Sequence, residues 1–256
     1  MNGSVRRTVT ARGRVVVLVA VIVLACSACY TTVAQATKSH DPGMRPWWCH
    51  SELMPGDPGS QWYLDHGYSK GDLSWDDCMT VSADFDAALA YAQQWPTRGA
   101  AEAAGWHAQV DYAEGMGTHH VLGNPLAGTF DPKRPTFLQY DGNTPDAKLV
   151  GVSWFVNSGT AAPPAGFPGN NDWWHQHTVL CISSITGKVI FDGPCPTGVS
   201  GTSVDLRSYW LLHAWIVPGW QHKPDVFVGH HPCLQAGGPA PMDDPCWADA
   251  EMMMHP

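Results

Sequence analysis

The chain has 256 residues, 44% of them hydrophobic, which is enough for a packed core and excludes wholesale disorder. Charged residues make up only 14% and the net charge is −9. Setting aside the four arginines of the first 29 residues leaves 10 basic against 23 acidic side chains, a net of −13, so a nucleic-acid partner, which needs clustered cations, is not expected.

Arg6, Arg7, Arg12 and Arg14 form a basic stretch, followed by the apolar run "VVVLVAVIVLA" from Val15 to Ala25. That run is too short for a membrane-spanning helix and reads as a secretory signal. Its exit has two forms. Cys26 after "VLA" and Cys29 after "CSA" each resemble a lipoprotein cleavage box, whereas "AQA" ending at Ala36 offers an ordinary signal-peptidase site. The expectation is a signal peptide over 1–29, of either type. The protein would then be extracellular or cell-envelope associated, touching the membrane only through the signal or an N-terminal lipid anchor.

Six cysteines follow the signal: Cys49, Cys78, Cys181, Cys195, Cys233 and Cys246. In an exported chain they read as disulfides, and near neighbours in sequence give the simplest pairing. Thiolate metal ligation is the weaker alternative in an oxidising compartment.

Residues 30–81 are rich in Pro, Gly, Trp and Asp without a sustained period and read as an irregular segment. "SADFDAALAYAQQW" then predicts a helix with Ser82 as N-cap and Asp84 and Asp86 in its first turn. Phe85, Ala88, Leu89 and Ala92 recur at helical spacing, Pro96 ends the helix, and "TRGAAEAAG" resumes it up to Gly105. The reading is a short helical hairpin over 82–104. From Trp106 the pattern is β, with strands expected in "WHAQVDY", "GTHHVL", "TFLQY", "KLVGVSWFV", "WHQHTVLCI", "KVIFD", "YWLLHAWIV" and "DVFVG". "KLVGVSWFV" is apolar at both parities, as in a central strand buried on both faces. The expected fold is α+β: an antiparallel β-sandwich or small barrel over 82–246, preceded by the helical hairpin, with 247–256 as a flexible tail.

The histidines carry the functional expectation. In a strand, residues two apart share a face with about 7 Å between their Cα atoms. "WHQHTVLCI" therefore projects His175 and His177 together. His213 lies mid-strand in "YWLLHAWIV", and "GMGTHHVLG" points His119 and His120 to opposite faces beside Gly115 and Gly117. His119, His175, His177 and His213 are the candidate ligands of a mononuclear transition-metal site, with copper or zinc favoured by imidazole ligation. Such a site would serve metal handling or an enzyme; in an enzyme, Glu114 or Asp111 would be the nearby general base. The competing reading is a disulfide-stabilised cell-surface binding or interaction module with structural histidines only, whose exposed tryptophans would mark the ligand groove. His230 and His231, in a turn beside Cys233, are expected at the surface. The 13 tryptophans are expected mainly in core and loop packing.

Three blocks carry a resemblance. They are Met116-Gly117-Thr118-His119; Trp174-His175-Gln176-His177-Thr178-Val179-Leu180-Cys181; and Leu212-His213-Ala214-Trp215. Over residues 76–220 the chain resembles a family of secreted bacterial proteins frequent in actinobacteria. No activity comes with the resemblance. It implies that His119 rather than His120 is the inward residue, that the same four histidines group together, and that "FDPKRPTFLQYDG" and "KLVGVSWF" are sequential strands of one sheet. "GHHPCLQAGG" and the Met-rich end depart from the family's pattern.

Overall fold

A computed structural model describes residues 47–49, 73–169, 171–221 and 226–247. They belong to one unit spanning 45–256. The signal and most of the irregular segment lie outside the described residues.

Helix α1 runs Trp75–Ala92, starting eight residues earlier than an N-cap at Ser82 implies. The true N-cap is Ser74, whose Oγ accepts from the Asp77 amide at 3.1 Å and donates to its carboxylate at 2.7 Å. Asp76 and Asp77 supply the first-turn negative charge attributed above to Asp84 and Asp86. Ser82 is instead buried mid-helix, its hydroxyl bonded to the Cys78 carbonyl at 2.8 Å. A Ser inside a helix and one at its start look alike in sequence, since the hydroxyl can bond either way. Helix α2, Arg98–Ala103, is capped by Thr97.

Eight strands form two antiparallel sheets. The first has the order β1 (His107–Ala113), β2 (Gly117–Val121), β3 (Phe137–Tyr140), β4 (Leu149–Asn157) and β8 (Tyr209–Ala214). The second has β5 (Val179–Ser183) between β6 (Val189–Asp192) and β7 (Gly201–Asp205). A two-residue pair, β9 (Leu234–Gln235) with β10 (Gly238–Pro239), completes the described strands. β3 and β4 pair as antiparallel neighbours. Among the described residues no barrel closes.

The larger sheet is covered on both sides, and strand parity sorts the cover. Leu138, Tyr140, Val152, Trp154, Trp210 and Leu212 pack in one cluster with Val81, Phe85 and Ala88 of α1. Phe167 wedges among them, with ring centroids 5.1 Å from Trp154 and 5.2 Å from Phe85. The opposite parity gives Val121, Phe137, Phe155 and Leu211, which pack against Leu180, Val204 and Leu206 of the smaller sheet and its exit. β4 is buried at every position but its last, as its uninterrupted apolar run requires.

The cysteines pair in sequence order, Cys49–Cys78, Cys181–Cys195 and Cys233–Cys246. Two expectations need correction. "DVFVG" forms no strand over its described residues 226–229, and the exposed β7 was not anticipated. Trp247, assigned to the tail, is buried with its ring 5.0 Å from Trp220.

Candidate functional site

Between the two sheets lies a cavity of about 550 Å³. Its walls are apolar: Phe137, Phe155 and Leu211 from the larger sheet face Leu180, Val204 and Leu206. Polar groups enter at a few points, chiefly His119, His177 and Asp192. A volume of this size and a mostly apolar lining with few polar groups are what small-molecule sites show, typically ~300–1,000 Å³.

The four histidines singled out in the sequence do lie side by side. Ring centroids are 5.2 Å apart for His119 and His213, 5.0 Å for His213 and His175, and 5.4 Å for His175 and His177. Different elements deliver them. His119 is on β2 and His213 on β8, with two strands between. Strands sit about 4.8 Å apart, so contact between these rings requires the sheet to curl toward the cavity. Ser153, opposite His213, has a small side chain on that face, and Gly151, opposite Gln139, has none. His175 and His177 are not on a common strand as expected. His175 makes an isolated bridge to Leu211, with two main-chain bonds of 2.8 Å, and β5 starts only at Val179.

The hydrogen bonds fix the protonation pattern. His213 Nδ1 lies 2.7 Å from the Gly229 carbonyl, which can only accept, so Nδ1 carries the proton. Burial depresses the His213 pKa to about 3, against the opposing effect of the Gly229 bond, so the ring is neutral and its Nε2 is a bare acceptor. His119 Nε2, 3.3 Å away, must then donate to it. Burial, helped by His213 and His177, likewise holds His119 well below the ordinary imidazole range. A neutral ring with its proton on Nε2 has an unprotonated Nδ1, and this atom is buried with no hydrogen-bond partner among the described residues. His175 is pushed down by burial and by its imidazole neighbours. His177 Nδ1 pairs with Asp192 Oδ2 at 3.0 Å.

This geometry corrects the metal reading. Among the described residues no group of three or more His, Cys, Asp and Glu side chains could hold an ion. The rings meet edge to face and through hydrogen bonds with each other, with Gly229 and with Asp192, instead of aiming at a common centre. Nor are Asp111 and Glu114 placed as bases: both are exposed, outside the cavity lining, and Asp111 pairs with Lys188.

His120 does face away from His119, but it is not solvated, because the helices cover that side. It is fully buried, 3.3 Å from Thr118 Oγ1 and 3.4 Å from Glu102 Oε1. His231 is also buried, its ring 5.0 Å from Trp215 and 5.3 Å from Trp220; only His230 is exposed as expected. Most described tryptophans are buried and none lines the cavity, so the exposed-tryptophan groove is not the site. The walls contributed by β5, β6 and β7 were missed in sequence. Only the alternation around Val204 hinted at an inward face there.

Comparison with protein-family models, with curated proteins and with solved structures finds no match to this chain.

Proposed function

We propose that the chain is an exported, disulfide-stabilised binding module that holds a small apolar molecule between its two sheets. The observation that carries this reading is the cavity itself: about 550 Å³, walled mainly by Phe, Leu, Val and Ile side chains, with a few polar groups among them. Removing an apolar ligand from water contributes roughly 25 cal/mol per Å² buried, and these walls are mostly apolar surface. Three disulfides are consistent with an oxidising, extracellular setting. The histidines serve the fold on this reading, bridging β2, β8 and the segment before β5.

An uncharged dye tests it. Nile red added to the disulfide-bonded protein is expected to brighten and saturate at one dye per chain. Val204→Trp fills the cavity from a half-buried position on β7. It is expected to weaken the dye at least about tenfold while leaving the circular dichroism unchanged. No saturable brightening, or binding that the filled cavity leaves untouched, contradicts the reading.

A further inference from the structure

We infer that the ligand is an apolar molecule with a cationic ammonium group, and that the Asp192 carboxylate at the rim of the cavity receives that group. This rests on the binding reading above and adds the ligand's charge.

Strand register places the carboxylate. Leu180 of β5 pairs with Asp192 of β6 on one side and with Val204 of β7 on the other. Directly paired residues share a face, so the three side chains stand in a row on the side of the small sheet that lines the cavity. Asp192 is the last residue of an edge strand, and its side chain is 65% exposed. The carboxylate therefore borders both the cavity and water. His177, also on the wall, donates from Nδ1 to Oδ2 at 3.0 Å. That bond holds the carboxylate and leaves Oδ1 without a partner among the described residues.

Charge then selects the ligand. Asp192 is the only Asp, Glu, Lys or Arg among the described residues of the wall. Burial keeps His119 neutral, so that ring adds no positive charge. The cations nearest in sequence lie outside the lining and are already paired, Lys188 with Asp111 and Arg207 with Asp205. An ammonium group supplies both the N–H donor that Oδ1 lacks and the opposite charge, whereas a ligand carboxylate would meet a like charge. At the rim the charged head stays partly hydrated while the apolar body enters, which avoids the cost of burying an ion. The chain's net charge of −9 draws cations in the same sense.

Three probes of one shape separate the possibilities on the full disulfide-bonded chain near pH 8, where ordinary imidazoles are uncharged. They are para-phenylbenzylamine, which is a cation, para-phenylbenzyl alcohol and para-phenylbenzoate, which is an anion. The amine is expected to bind roughly two- to fivefold more tightly than the alcohol, the range of an ion pair in contact with water, with the anion weakest. Raising the salt from about 0.05 to about 0.5 M should shrink that ratio. Asp192→Asn should bring amine and alcohol to equal affinity without changing the alcohol's own. If that variant does not fold, the salt dependence in the unaltered protein decides. An amine no tighter than the alcohol, a preference that salt or Asp192→Asn leaves untouched, or tightest binding of the anion overturns the charge assignment while leaving the binding module intact. No binding of any probe overturns both.

Discussion

At His213 a single main-chain carbonyl decides the chemistry of a ring on another strand, because each neutral imidazole has one proton to place. Keeping these rings neutral has a cost that depends on pH. An unfolded imidazole protonates near pH 6.5, whereas the folded His213 resists protonation to about pH 3 and His119 and His175 are shifted in the same direction. Between those values the unfolded chain binds more protons. Stability is therefore fully present above about pH 6.5 and is lost as pH falls, with a slope approaching about 1.4 kcal/mol per pH unit for each such histidine. The melting temperature should fall between pH 7 and pH 5, and His213→Phe should flatten that fall; equal slopes in both proteins would contradict the assignment. Gly117 makes a second residue-scale case. Its φ is +68°, and an added Cβ would lie 2.6 Å from the Tyr140 carbonyl oxygen. Gly117→Ala is expected to cost at least about 1–2 kcal/mol in chemical denaturation, since both the left-handed backbone and the close approach exclude a side chain.

The two sheets differ as elements. The larger one is sandwiched and apolar; the smaller has exposed edge strands, with Phe191 50% and Ile190 47% exposed on β6. Cys181–Cys195 cross-links it, closing a loop of sequence separation 14. Opening a loop of that length costs about 3 kcal/mol. Cys181→Ala with Cys195→Ala should therefore abolish dye binding while hydrogen exchange in α1 and β4 stays slow; uniform loss of protection would show that the sheets do not fold separately. The difference also explains what was legible in sequence. β4 and β8 announce themselves because strands buried on two faces must be apolar throughout. β7, "GTSVD", carries mostly polar, exposed side chains and leaves Val204 as its single apolar signal. Residues 174–178 are strand-like in composition but serve as a crossing from one sheet to the other, and side-chain parity does not hold across such a link. The grouping of the four histidines survived that error because His175 is fastened to β8 by main-chain bonds. Their chemistry was not legible, since it depends on the Gly229 carbonyl, sixteen residues away from His213.

Over the whole molecule, helices seal one face of the main sheet and a small, cross-linked sheet stands off the other, leaving space that side chains do not fill. A mostly apolar cleft of this size is what small-molecule sites show. The most direct test is the methyl spectrum of the labelled protein titrated with para-phenylphenol. The methyls of Leu180, Val204 and Leu211 should shift together and saturably, while those of Val81 and Ala88 beneath α1 stay in place. Shifts confined to the helix side, or no saturable shift at the cavity methyls, would contradict a binding site between the sheets.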